Sequence, residues 1–298
     1  MPFAAELSVP GNSRIAHRAA LLILTRQKER GMTEPTSDET ASPAEEATSS
    51  AEKPASPANE AASQGHAATN PMVRFLGMIV AGTVAAGISY AAVASVGELY
   101  GISQELLDLP GMPSAEELDA LAAAGVVADT GNAMVWLAIT GAIFGGVLAF
   151  VSGLLRRAGK GIAIGTVAAI LAAGGLGYLA GDLAISNFEA SKATAGGNGL
   201  SPEHETMIMH GITWGLIGLG VGVGCGLARP KIEAKPVLVS VIVAGVMGCV
   251  AGGVFPIILG VAAPLENSVN PVPIPGVGRM FWMGLASVLI AAGLGRTD

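Results

Sequence analysis

The sequence predicts an all-α integral membrane protein with six transmembrane helices, arranged as three hairpins behind a disordered N-terminal tail. Three observations favour this class. Of the 298 residues, 51% are hydrophobic and only 13% are charged, and six long stretches contain no Asp, Glu, Lys or Arg. A soluble domain has about 25% charged residues. The chain therefore has too little polar surface for a water-soluble globule.

The charge balance and the cysteine count exclude several classes of function. The 16 Lys and Arg residues face 23 Asp and Glu residues, giving a net charge of −7, so we expect no nucleic-acid partner. Two cysteines cannot build a disulfide framework. No nucleotide, metal or catalytic motif occurs in the context that its chemistry needs. The sequence thus predicts no cofactor, no metal site and no enzymatic activity.

The uncharged stretches define the spans. In chain order they hold 23, 26, 21, 23, 30 and 16 residues. A helix needs roughly 20 apolar residues to cross a ~30 Å hydrocarbon core. Five stretches satisfy this, and the sixth does so if Arg279 and Arg296 extend toward the head groups. Because the apolar runs are continuous, they predict helices and not barrel strands. The spans are placed near 75–97, 134–155, 161–181, 208–228, 237–260 and 279–295.

The connections between the spans alternate in charge. Eight basic residues flank the helix ends on one side of the membrane, and two flank them on the other. The positive-inside rule therefore predicts two cytoplasmic termini, in a plasma (inner) membrane. Trp136, Trp214 and Trp282 fall at the opposite, outer ends of the even-numbered spans. We expect them to anchor those helices at the head-group level.

Short motifs recur along the chain. Residues 82–86 (GTVAA) recur at 165–169, and the GEL of 97–99 returns as the GDL of 181–183. Each even-numbered span also opens with a Trp and closes on a basic residue. These patterns predict three hairpin repeats. All three begin on the same side of the membrane, so they are parallel and not inverted repeats.

The N-terminal region, residues 1–72, is predicted to be a disordered cytoplasmic tail, and residues 73–298 the membrane domain. Residues 32–71 are rich in Ala, Ser, Pro and Glu and lack bulky apolar side chains, so they cannot bury a core. Residues 1–31 are basic instead. We hypothesise that the natural start is Met32; the alternative is a short amphipathic helix on the inner surface.

Local signals predict structure in the outer connections. Ser114 and Glu117 have the spacing of a capping box, and Gly125 is a typical helix stop, so we expect a short helix near 115–124. Ser201 and Pro202 predict the start of the fourth helix. The proline-rich stretch 271–275 should be extended.

Four residues are candidates for an outer vestibule that receives a cation. Glu98 and Asp182 occupy equivalent repeat positions just outside the first and third spans, and Glu203 and His210 share a face of the fourth helix. The alternatives are solvated side chains at helix entrances or pairing of the acids with Arg279. Because no span carries a charged residue at mid-depth, a proton-coupled transporter is disfavoured.

Glycines supply the strongest signal inside the spans. Gly218, Gly222 and Gly226 are spaced four residues apart on one face of the fourth helix, which favours close helix packing. Two functions follow. One is a channel or passive permease for a small solute or ion, and the alternative is a non-transporting scaffold or assembly subunit. The expected partners are the lipid bilayer, further copies of the chain or other membrane subunits.

Overall fold

A computed structural model describes residues 70–108, 113–193, 201–263, 270–273 and 276–297. Within these ranges the chain forms helices and no strand, and six helices are long and apolar enough to cross a membrane. The predicted all-helical class is confirmed for the described residues, and so is the number of helices that could span a membrane. The predicted tail lies outside the described residues, except for its last three positions. The helices are α1 (Pro71–Val96), α2 (Gln104–Leu107), α3 (Ala115–Leu155), α4 (Lys160–Ala193), α5 (Pro202–Leu227), α6 (Ala234–Ala262) and α7 (Val277–Leu294).

Polar residues fix several helix starts. The Asn70 side chain accepts a hydrogen bond from the Met72 backbone N–H at 2.9 Å, so it caps α1. The predicted capping box opens α3: the Glu117 N–H donates to Ser114 Oγ, and the Ser114 N–H donates to Glu117 Oε2 at 2.7 Å. These bonds satisfy backbone donors that the first turn leaves without helical partners.

The outer half of α3 differs from the prediction. Instead of a short helix that stops at Gly125, the chain forms one helix of 41 residues through that position. An interior glycine costs only about 1 kcal/mol relative to alanine, and the flanking stretch is rich in alanine and leucine. At 1.5 Å per residue, α3 is about 60 Å long, twice the hydrocarbon thickness. The 34-residue α4 is also longer than its predicted span.

The helices alternate in direction, so their ends meet in two groups. The beginnings of α1, α4 and α6 lie with the ends of α3, α5 and α7. Arg156 Nη1, at the end of α3, donates to the Cys225 carbonyl of α5 at 2.8 Å. Arg229 Nη2 donates to the Thr297 carbonyl, beyond α7, at 3.1 Å. Arginines thus bond carbonyls that the helix C-termini leave unpaired. This group is called the basic end, and the opposite group the acidic end.

The fourth span, α5, is the central helix of the bundle. It packs against α3, α4, α6 and α7, and 72% of its most apolar segment is buried, compared with 22% for α4. Most of the α4 surface is therefore left for lipid or for another protein. The contacts of α5 place its side chains at the centre of the molecule, where the candidate site lies.

Candidate functional site

Five buried rings from four helices meet at the centre of the bundle and form what we call the aromatic core. Trp214 stacks on Phe144 with ring centroids 5.4 Å apart, and it meets the edge of Trp282 at 4.8 Å. His210 packs against Phe255 at 5.1 Å and against Trp282 at 5.6 Å. None of the five side chains is more than 1% exposed. Such ring pairs are worth about 0.5–1.5 kcal/mol each beyond their burial.

Helix periodicity and glycine place these rings together. His210 and Trp214 are four residues apart, so they lie on one face of α5. Across from them, Gly248 lies against the Trp214 carbonyl and Gly252 against the His210 carbonyl, and a Cβ at either position would overlap the α5 backbone. The close approach of α6 brings Phe255, three residues beyond Gly252, alongside His210.

One hydrogen bond joins two rings of the aromatic core. Trp282 Nε1 donates to His210 Nδ1 at 3.1 Å, so the assigned geometry places the acceptor on Nδ1 of the imidazole. Trp214 Nε1 is also buried but has no hydrogen-bond acceptor within the described part of the chain. A buried donor without an acceptor typically lowers the stability of the fold by about 1–3 kcal/mol. The free energy gained by ring packing therefore outweighs the cost of the unbonded Trp214 N–H.

Arg279 lies beside the aromatic core and is itself buried, with 4% of its surface exposed. Its guanidinium carbon lies 4.6 Å from the centroid of the Trp136 ring, and Nε donates to the Pro273 carbonyl at 2.8 Å. Trp136 Nε1 donates in turn to the Gly97 carbonyl at 2.7 Å. The expectation that Arg279 extends to the head groups is wrong, because protein groups satisfy its charge inside the bundle.

The candidate vestibule residues occupy two different environments. Glu98, Asp182 and Glu203 are exposed at the acidic end, whereas His210 is fully buried in the aromatic core. His210 shares a helix face with Glu203 but lies two turns deeper, where α6 and α7 cover it. Within the described ranges, no three His, Cys, Asp or Glu side chains come together as metal ligands. The vestibule remains a prediction.

The tryptophans also differ from their predicted positions as head-group anchors. Trp214 and Trp282 are 0% and 1% exposed, so their rings cannot contact lipid head groups. Trp136 is half-buried beneath Arg279. All three lie toward the acidic end, as their positions along the spans require, but Trp214 and Trp282 face the protein interior because neighbouring helices cover that side of α5 and α7.

The predicted glycine stripe of α5 faces α6. Gly218 lies against the Ala244 carbonyl, and a Cβ on Gly226 would be 2.8 Å from Val237 Cα. A Cβ on Gly222 would be 2.5 Å from Val241 Cα and 2.6 Å from the Ser240 carbonyl oxygen. At these distances the backbone of α6 would have to shift to admit a side chain.

The sequence analysis did not identify one polar residue near the site, Asn132. Asn132 Oδ1 accepts hydrogen bonds from the Leu99 and Tyr100 N–H groups at 2.9 and 3.0 Å, and Nδ2 donates to the Tyr100 carbonyl at 2.8 Å. The side chain thereby ties the segment after α1 to α3. Its signal is weak but present: it is an amide in a stretch of small and apolar residues, where an unbonded amide would be costly.

The arrangement joins four helices through rings, and it surrounds one titratable group, His210, with aromatic side chains. No protein-family model, curated protein or solved structure matches this chain. The function is therefore inferred from the packing of its own residues.

Proposed function

We propose that this chain is a non-transporting subunit that helps to assemble a membrane complex. The aromatic core is the observation that carries this proposal. Phe144, Trp214, Phe255 and Trp282, from four helices, occupy the centre of the bundle and are at most 1% exposed. Selective channels typically line their paths with carbonyls or charged side chains that replace the water around the solute. A centre filled by rings favours the scaffold over the channel.

A surface for a protein partner is available at the acidic end. There α3 continues beyond the length that a bilayer covers, and the segment before it packs against it through Asn132. Large apolar side chains are exposed on both. Apolar side chains in contact with water often mark protein interfaces, so this surface suits another membrane subunit or a second copy of the chain. The exposed apolar residues are Leu99, Tyr100, Leu107, Leu118 and Val127.

Close packing of the central helices suits this role, and the spacing of the glycines supports it. The stripe of Gly218, Gly222 and Gly226 lets α5 and α6 approach backbone to backbone. Lipid provides no hydrophobic drive between helices, so close approach supplies the dispersion contacts that hold them together. We assign the stripe this packing role.

The proposal retains the three parallel hairpins, now as α1 with α3, α4 with α5, and α6 with α7. The two helices of each pair contact one another, and each pair begins at the basic end. In each second helix a Trp also lies in the half of the predicted span that is nearer to the acidic end. The matching motifs at 82–86 and 165–169 support a common origin for the first two pairs.

The proposal also places the basic end in the cytoplasm of a plasma (inner) membrane. Eight Lys and Arg residues lie at this end, from Arg74 to Arg296, and two lie at the other. The bias of basic residues toward the cytoplasm supports this orientation.

Solute flux separates the scaffold from the channel. The full chain is reconstituted into vesicles and compared with protein-free vesicles for permeation of K⁺, Cl⁻ and glycerol. We expect equal rates, because the aromatic core excludes water. A rate clearly above that of empty vesicles would contradict the proposal. If Glu98→Gln and Asp182→Asn then lowered that rate, the vestibule and the channel would be favoured together.

Self-association tests the assembly surface directly. Light scattering gives the mass of the detergent-solubilised chain, and the double variant Leu118→Glu/Val127→Glu changes exposed side chains on the outer half of α3. The matched control is Leu183→Glu/Asn187→Glu, at two exposed positions on the outer part of α4, beyond the predicted span 161–181. If the chain is its own partner, we expect only the α3 variant to shift the mass to that of a monomer. If the wild-type chain is a monomer, the surface belongs to an interface with a different subunit. The proposal then requires that a membrane protein copurifies with the wild type and not with the α3 variant.

A further inference from the structure

A groove of about 520 Å³ lies between α6 and α7 at the basic end of the bundle. Its walls are mainly aliphatic, and the two helices that form it are both long and apolar enough to span a membrane. Gly293 allows the two helices to meet at its base, since a Cβ there would lie 2.7 Å from Met247 Cγ. The large aliphatic side chains that line it are Val239, Val243 and Met247 from α6 and Leu289 from α7.

The groove has the depth of one lipid leaflet. Val239 and Met247 are eight residues apart on α6, which corresponds to about 12 Å along the axis. Half of a ~30 Å hydrocarbon core is similar in depth. An acyl chain that enters from the head-group region would therefore run along the whole groove.

Positive charge lies at the mouth of the groove and not along its walls. Arg296 lines it at the end of α7, and Lys235 lies one turn before Val239 on the same face of α6. Both side chains are exposed, and in the described part of the chain neither forms an ion pair. Glu233 is the acidic residue among the described positions at this end. The α6 N-terminus adds further positive potential.

The mouth is held in place by bonds to the chain after α7. Arg229 Nη2 donates to the Thr297 carbonyl at 3.1 Å, and Arg74 Nη2 donates to the Gly295 carbonyl at 3.5 Å. The Arg296 guanidinium lies 5.1 Å from the centroid of the Phe75 ring. These contacts fix the backbone on both sides of Arg296, which as a residue remains exposed.

We propose that this groove binds one anionic phospholipid, with an acyl chain along α6 and α7 and its phosphate between Lys235 and Arg296. Aliphatic walls about as long as a leaflet is deep select a lipid chain, and two cations that form no ion pair with a described carboxylate select a negative head group. The proposal does not depend on the scaffold function, because it uses a different surface and requires only that the helices span a membrane.

Native mass spectrometry of the full chain in detergent tests the proposal. The protein is mixed with equal amounts of phosphatidylglycerol and phosphatidylcholine that carry identical acyl chains. We expect one phosphatidylglycerol molecule to be retained in preference to phosphatidylcholine. Each surface cation contributes about fivefold to such a preference, so Lys235→Ala/Arg296→Ala should reduce it by about 25-fold. The charge-conserving pair Lys235→Arg/Arg296→Lys should retain most of it.

Control variants separate the groove from the general basic surface. Arg157→Ala/Lys160→Ala removes two exposed cations of the same end, between α3 and α4, and should leave the preference unchanged. Ala292→Phe fills the groove and should weaken retention of both lipids. Inorganic phosphate in millimolar excess should not displace the lipid, since it lacks the acyl chain. Equal retention of the two lipids, or an equal loss in the Arg157/Lys160 control, would overturn the proposal.

Discussion

At the scale of single residues, Arg279 shows how the bundle accommodates a charge away from water. Among the described residues, its guanidinium bonds the Pro273 carbonyl and lies against the face of Trp136. Desolvation of a charge costs several kcal/mol, so the ring contact must recover a measurable part of that cost. The pair is therefore expected to be energetically coupled, and a double-mutant cycle isolates the coupling.

We predict a coupling energy of about 1 kcal/mol between Arg279 and Trp136. The cycle uses Arg279→Met, Trp136→Leu and the double variant, and compares their free energies of unfolding in detergent. Tyr178→Leu, on the exposed face of α4, replaces Trp136→Leu in a control cycle and should show no coupling to Arg279. Additive effects of Arg279→Met and Trp136→Leu would mean that the ring does not stabilise the charge.

The tryptophans show which part of a residue's position can be predicted from sequence. Charge spacing fixes depth along a helix, and Trp136, Trp214 and Trp282 do lie toward the predicted end. Rotation about the helix axis is set by the neighbours that cover each face, and a single sequence does not name them. Trp214 and Trp282 consequently face the aromatic core and not the head groups.

At the scale of elements, the sequence locates the membrane part of a helix more accurately than its ends. Uncharged intervals predicted all six spans, because a charge is costly in hydrocarbon. Beyond the bilayer this constraint disappears, and charged residues such as Glu and Lys are good helix formers. Helix α3 therefore extends outward through Asp129 and Gly125 as far as Ser114, the N-cap residue of its capping box.

Gly125→Ala is predicted to stabilise the outer half of α3. The position is helical and not a left-handed helix end, and the nearest atom to an added Cβ would be Ile102 Cδ1 at 3.9 Å. Alanine should therefore gain about 0.5–1 kcal/mol. Hydrogen exchange of the amides at 118–124 should slow by about two- to fivefold. Faster exchange would indicate that the helix ends at Gly125, where alanine is strained.

The packing role of the α5 glycines is tested by a matched pair of substitutions. Gly222→Leu should separate α5 from α6, since even a Cβ there would lie 2.5 Å from Val241 Cα, whereas Gly87 of α1 has no atom within 4 Å of an added Cβ. Overpacking typically costs about 1–3 kcal/mol. We expect Gly222→Leu to lower the Tm and the monodisperse yield, and Gly87→Leu to leave both unchanged. If the two variants have the same Tm and yield, Gly222 is not required for the close packing of α5 and α6.

At the scale of the whole molecule, the alternation of six helices sorts eight of the ten Lys and Arg residues from Arg74 onward to one end. The connections at that end are short, and helix C-termini there place carbonyls within reach of arginine side chains such as Arg156 and Arg229. The same residues thus serve two purposes. They satisfy backbone groups locally, and we propose that together they orient the chain, because short basic loops are retained in the cytoplasm.

Orientation is predicted to follow this charge bias. In a Cys249→Ala background, where the remaining Cys225 is buried, a single cysteine is placed at exposed Ser103 of the acidic end or at exposed Ile232 of the basic end. An impermeant maleimide applied to intact bacterial cells should label Ser103→Cys, and it should label Ile232→Cys only after permeabilisation. The reverse pattern would place both termini outside and would show that the arginines at this end act on the bundle alone. Labelling of both sites in intact cells would mean that the chain inserts in two orientations, so that local carbonyl bonding and not topology explains the concentration of basic residues.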